Sequence, residues 1–201
     1  MNYNESPDSW NGDGTGIFLG GGITQCPDWQ KELTGRFAAE FVKEPVTIIN
    51  PRRANFPIDD PSAAHRQIKW EYEHLELSTA IIFWFSPPTL NPIVLFEFGK
   101  YMNRGRPLFV GCDPEYARIQ DVQIQCEFER PDIRVASSLE ELSVQVINWY
   151  HNWPRRIKEL CGQGISESAP GPKDEFFEQI LETMGTDLDQ FYADQATKGL
   201  R

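Results

Sequence analysis

Short apolar runs alternate with longer stretches of helical periodicity along most of this chain. Residues 17–19, 46–49, 80–85, 108–110 and 133–135 are strand-sized runs, and the segments between them have the length of crossover helices. The spacing predicts helices over 27–42, 64–78, 92–103 and 139–150. Ser138 with Glu141 fits a capping box, and Asn91 followed by Pro92 fits an N-cap and first helical position. Such alternation implies an α/β fold, a doubly wound five-stranded parallel sheet with helices on both faces. Ligands of these sheets sit beyond the carboxyl ends of the strands, which places Gly20, Asn50, Ser86 and Gly111 at one rim.

The pattern is absent at both ends. Residues 1–15 are rich in Asn, Ser, Asp and Gly without periodicity and read as a disordered leader, so structure is expected to begin near Gly16. A single domain over 16–153 follows. Residues 154–201 read as a linker and an acidic amphipathic helix tail, with Phe176, Ile180, Leu181, Leu188 and Phe191 on its apolar side.

A chain of 201 residues supports one core rather than two. With 19 basic against 30 acidic residues the net charge is -11, which argues against nucleic acid as a partner but leaves a small nucleotide open. Cys26, Cys112, Cys126 and Cys161 are too widely spaced for a zinc site or a disulfide scaffold, and reduced thiols are expected. No apolar run reaches the roughly 20 residues of a membrane span, and no signal segment precedes the domain, so the expected location is cytoplasmic, with no membrane partner.

Glu97 stands out because it interrupts the apolar run Ile93, Val94, Leu95, Phe96 and Phe98 on a helix that the sheet should cover. A carboxylate held in a partly dry pocket near a helix N-terminus suits a nucleophile. An acid at the helix rim that simply meets water is the alternative. On the preceding helix, Ile68, Tyr72, Leu75 and Thr79 form the expected core stripe, with Glu71 roughly 60° from its centre, at the border of core and surface. Two carboxylates around one sugar carbon are what glycosidic cleavage uses.

Gly20, Gly21 and Gly22 follow the first strand and allow backbone N–H groups to approach a ligand, or simply make a tight turn. They are not a dinucleotide fingerprint, and no cofactor is expected. Arg52 and Arg53, after Asn50, suit a phosphate, a carboxylate or a base, or alternatively an ion pair with Asp59 or Asp60. Trp70 is a candidate to stack on a nucleobase, whereas Trp84 sits within a strand and reads as core.

The segments Ile17-Phe18-Leu19-Gly20-Gly21-Gly22, Asn50-Pro51-Arg52-Arg53, Gln67-Ile68-Lys69-Trp70-Glu71 and Asn91-Pro92-Ile93-Val94-Leu95-Phe96-Glu97-Phe98-Gly99 resemble the nucleoside 2-deoxyribosyltransferase-like family. The likeness covers about 16–150. It implies a flavodoxin-like fold, Glu97 as nucleophile, Glu71 as the acid that assists at the nucleobase, a small-molecule nucleoside or nucleotide as ligand, and a homo-oligomer. Phe18 stands where family transferases have Tyr, Asn91 where they have an acid and monophosphate hydrolases have Ser, and Thr79 where many members have Asp.

The expected activity is cleavage of the N-glycosidic bond of a (deoxy)nucleoside or nucleoside 5'-monophosphate through a glycosyl-Glu97 intermediate, with transfer to another base or to water. The alternatives are a catalytically silent nucleotide-sensing module and an interaction protein acting through its acidic tail.

Overall fold

Five parallel strands form one sheet in the computed structural model, which describes residues 1–57 and 59–161, with side chains as far as Asn152. The strands are β1 (Asn2–Glu5), β2 (Thr15–Gly21), β3 (Val46–Asn50), β4 (Ala80–Phe85) and β5 (Leu108–Cys112), in the order β1-β3-β2-β4-β5. The helices are α1 (Trp29–Glu40), α2 (Ala63–Leu77), α3 (Pro92–Met102), α4 (Ile119–Glu129) and α5 (Leu139–Cys161).

Side chains alternate across the central strands, yet both faces are covered, which is why the runs read as continuously apolar. Ile17, Leu19, Ile82 and Trp84 pack with Trp29, Leu33 and Phe37 of α1 and Leu142 and Val146 of α5. Phe18, Ile81, Phe83 and Phe85 pack on the opposite side with Trp70 of α2, Val94 and Phe98 of α3, and Val122 and Cys126 of α4. Among the described residues no helix is long and apolar enough to cross a membrane.

The expected class of fold holds, but the fifth strand is not the expected one. Residues 133–135 form no strand, and only an isolated parallel bridge joins Ala136 to Gly111. Instead, the segment read as a disordered leader supplies β1, which pairs with β3 in the register Tyr3↔Ile48 and Glu5↔Asn50. A polar sequence suffices there because an edge strand is held by its backbone bonds and leaves side chains in water. The rest of the leader is also packed. The Ser6 N–H donates to the Asn50 carbonyl at 3.1 Å, and the Trp10 N–H donates to His74 Nε2 at 3.1 Å. The buried Trp10 ring fills the space beside Gly16, where a Cβ would overlap it.

Two helices also differ from expectation. α4 was not expected; it buries only Val122 and Cys126, which leaves little periodic signal. α5 extends past Tyr150 to Cys161. Its start has part of the capping box, since Ser138 Oγ accepts the Glu141 N–H at 3.1 Å, but the Glu141 carboxylate takes the N–H of Ser137. The linker and tail helix expected beyond lie outside the described residues.

The sheet runs from β2 outward to β3 through α1, then returns across β2 to β4 through α2. The strand order therefore reverses between β2 and β4. The loops leaving those two strands diverge to opposite faces and open a crevice at their carboxyl ends.

Candidate active site

A pocket of about 480 Å³ occupies that crevice, within the range of small-molecule sites. Phe18, Gly20, Gly21 and Gly22 come from β2 and its exit, Ile23, Thr24 and Gln25 from the following loop, and Pro51 from the end of β3. α2 contributes Ile68 and Glu71, while Thr89, Asn91, Pro92, Ile93, Val94 and Glu97 line the remaining wall. The walls are mostly apolar, and the two glutamates are the only charged side chains among these lining residues.

Glu97 is carried on the second turn of α3, which begins at Pro92. The apolar neighbours that made it conspicuous split between two environments. Val94 and Phe98 are buried against the sheet, whereas Ile93 and Phe96 are exposed. Glu97 lies between those faces, half-buried at the pocket wall. Burial, reinforced by the charge of Glu71, pushes its carboxyl up to about 7, and Lys100 opposes this only in part.

Glu71 reaches the pocket as expected, but not for the expected reason. The buried residues of α2 are Ala63, Trp70, His74 and Leu75, while Ile68 and Tyr72 are 65% and 56% exposed. Glu71 and Ile68 thus look out over the rim into the crevice. Burial raises the Glu71 carboxyl above its ordinary range, and a hydrogen bond from Gln67 Nε2 at 2.9 Å opposes the rise.

The glycines do line the pocket, but the absence of their side chains serves packing. A Cβ at Gly20 would stand 2.7 Å from the Phe83 ring, and one at Gly21 would stand 2.6 Å from the Trp84 carbonyl oxygen. A Cβ at Gly22 would overlap the Asn91 amide and stand 2.5 Å from Cys26 Sγ. The close approach is protein against protein.

Asn91 is a lining residue whose amide is occupied. It is the N-cap residue of α3, ahead of Pro92 as expected, but it adopts a left-handed conformation at φ 48° and its side chain makes no cap bond. Its Nδ2 donates to the carbonyls of Ser86 at 3.0 Å and Thr89 at 3.2 Å, while Oδ1 accepts the Thr89 hydroxyl at 2.7 Å. It ties together the turn between β4 and α3.

Four other expected ligand residues lie outside this pocket lining. Asn50 is buried and donates to the Tyr3 hydroxyl at 2.6 Å, while its Oδ1 accepts the Arg52 N–H at 2.9 Å. Arg52 donates to the carbonyls of Pro27, Ile23 and Cys26 and to Gln30 Oε1, so its guanidinium clamps the loop that leads from Gly22 into α1. Arg53 stands over the Phe56 ring at 5.6 Å, and Asp60 pairs with Arg66 rather than with either arginine. Trp70 is buried, stacks on His74 at 3.9 Å, and donates to the Asp8 carbonyl at 2.7 Å. It supports the pocket floor from behind Phe18, 6.3 Å between ring centroids.

Thr79 sits at the opposite end of β4, where its hydroxyl accepts the Gly16 N–H at 3.2 Å. Thr24, Gln25 and Thr89 of the lining, and Gln67, which donates to Glu71, are polar residues that the sequence pattern did not single out. The position of Gln67 one helical turn before Glu71 was the available signal.

Among the described residues no group of three or more His, Cys, Asp or Glu side chains is arranged to hold a metal ion. No curated protein matches the chain. A family model described as nucleoside 2-deoxyribosyltransferase like matches residues 14–116, a span that contains both pocket glutamates and the loops of the β2–β4 crevice. Because the match covers just over half of the 201 residues, the chain belongs to the nucleoside 2-deoxyribosyltransferase-like family.

Proposed function

We propose that the protein cleaves the N-glycosidic bond of a (deoxy)nucleoside through a covalent glycosyl ester on Glu97 and passes the sugar to another base or to water. Family membership suggests glycosyl transfer. The observation that carries the finer reading is the convergence of Glu71 and Glu97, from two helices, on one largely apolar pocket at the strand switch.

The carboxyls are raised together, and the charge of Glu71 acts directly on Glu97. The reactive form of such a pair is the one that carries a single proton, on Glu71, with Glu97 ionised. With the proton on Glu71, the Glu97 carboxylate attacks the anomeric carbon, the C–N bond breaks, and its electron pair leaves with the base, which takes the proton from Glu71. Glu71, now a carboxylate, accepts a proton from the incoming base or water as that nucleophile displaces Glu97. Two displacements return the sugar with its original configuration.

The lining residues include no Lys or Arg, and Arg52 is engaged by the adjacent loop. A 5'-monophosphate finds no cation in this lining, so the unphosphorylated nucleoside is the better-supported substrate form. Exposed Ile68 and Ile93 at the pocket wall continue into exposed Tyr72 and Phe96 on the same two helices, an apolar surface that supports a homo-oligomer with the pocket at its boundary.

Intact-mass analysis of protein incubated with deoxynucleosides, run beside a chromatographic assay for free base, tests the reading. A sugar adduct and base release are expected, and both should vanish in Glu97→Gln while ligand binding persists. Full turnover in a folded Glu97→Gln protein overturns it.

A further inference from the structure

Gln67 sits between the leader and the acid of the pocket. Its Oε1 accepts the Ser6 hydroxyl at 2.8 Å, and its Nε2 donates both to the Pro51 carbonyl and to Glu71 Oε1, each at 2.9 Å. The orientation of this amide follows from its partners. A carbonyl oxygen only accepts, so the face toward Pro51 must be the NH₂ group, and the oxygen is left for the Ser6 hydroxyl. Ser6 is itself buried and held by its backbone bond to Asn50.

The NH₂ group therefore faces one oxygen of Glu71, Oε1 in this structure. A carboxyl oxygen that accepts an N–H bond is the carbonyl oxygen of the acid form, which sends the acidic hydrogen to the other oxygen, Oε2. Among the described residues Oε2 has no hydrogen-bonding partner. The donor also favours the carboxylate against burial, which keeps the Glu71 proton transferable in a pocket that otherwise retains it. The other charged groups of this cluster are Glu97 and, beside it, Lys100, both on α3.

We infer that Gln67 is a positioning residue for Glu71, that Ser6 fixes Gln67 in turn, and that the N-terminal segment ahead of the family match is thereby a working part of the active site. This rests on the role of Glu71 proposed above. The segment is not merely packing at the sheet edge, because the Ser6–Gln67–Glu71 chain ends on a carboxyl that lines the pocket.

The test compares Gln67→Met, Ser6→Ala and Glu71→Gln in the full chain, using a purine deoxynucleoside and a deoxyriboside whose leaving group departs without protonation. Methionine keeps the length and helix preference of glutamine and removes the donor. Gln67→Met should lower kcat on the nucleoside about tenfold, the scale of one hydrogen bond to a charged group, with KM little changed and the activated substrate unaffected. Ser6→Ala should show the same pattern more weakly. A ¹³C titration of the Glu71 carboxyl, which requires no turnover, should find its midpoint raised in Gln67→Met. An unmoved midpoint, or an equal loss on both substrates, overturns the inference. Failure of the underlying reading looks different: Glu71→Gln itself then shows no dependence on the leaving group.

Discussion

The position where a Gly22 side chain would stand is taken by the Asn91 amide oxygen and, on its other side, by Cys26 Sγ. The turn that leaves β2 and the turn that introduces α3 are thus in direct contact, and the wall carrying Glu97 is indexed to the glycine loop by one side chain. Gly22→Ala must push the start of α3 away or open the loop. It should cost roughly 1–3 kcal/mol of stability. It should also reduce kcat more than KM, which parallel melting and steady-state measurements would separate.

Asn91 invites a sharper substitution. Aspartate has nearly the same shape but no N–H to give to the carbonyls of Ser86 and Thr89, and it would set a negative charge against both. Asn91→Asp should lose about 1–3 kcal/mol in denaturant unfolding at neutral pH. Acidification should restore part of the loss as the carboxyl protonates. Wild-type stability at every pH would show that the amide contributes nothing to the turn.

The paired glutamates set a pH dependence with a definite sign. The Glu97 carboxyl is raised from 4.5 to about 7 in the folded chain, so between those values the native state holds a proton that the unfolded state has released. Stability therefore falls as pH rises through this window, by on the order of 3 kcal/mol for this group, and Glu71 adds in the same direction. Glu97→Gln should melt above wild type at pH 8 and alike at pH 4. Turnover should rise as Glu97 ionises near pH 7 and fall once Glu71 also loses its proton.

His74 works in the opposite sense. Its Nε2 accepts the Trp10 N–H, so Nδ1 carries the hydrogen toward the Trp70 carbonyl, and burial keeps the ring neutral by lowering its pKa. Below the ordinary imidazole range of 6.5 the unfolded chain binds a proton that the folded one refuses, and stability falls with falling pH. Trp10→Ala keeps the backbone N–H to His74 and should leave this limb in place, while destabilising the protein by about 3–5 kcal/mol at pH 7, as loss of a well-packed indole does. An unfolding series across pH 5–8 distinguishes the two contributions.

The apolar surface on α2 and α3 predicts association. Phe96 is 73% exposed on the same helix as Glu97. Phe96→Asp should shift the protein to smaller species in sedimentation without lowering its cooperativity of melting. If the native protein is monomeric at all accessible concentrations, the surface has another occupant.

The apolar runs made β2, β3, β4 and β5 legible because strands covered on both faces need them. β1 left no such mark, since Asn2–Glu5 is polar and its partner strand, not its composition, makes it a strand. The stripe on α2 was misread because Ile68 and Tyr72 carry an apolar pattern that the sheet does not use, while Trp70 and His74 turn inward. The place of Glu97 at the pocket wall was legible because a single acid in an apolar run has few explanations. Asn50, Arg52 and Trp70 were not, because each residue type binds loops and ligands by the same bonds, and only the partners decide.

β1 is joined to the sheet on one side only, through four residues paired with β3. An edge strand this short is held by fewer ladder bonds than the interior strands and is expected to open locally before the whole domain melts. Ser6 follows it directly in the chain, and the Gln67 amide loses that anchor when the strand lifts. On warming, inactivation should then run ahead of unfolding, and it should reverse on cooling.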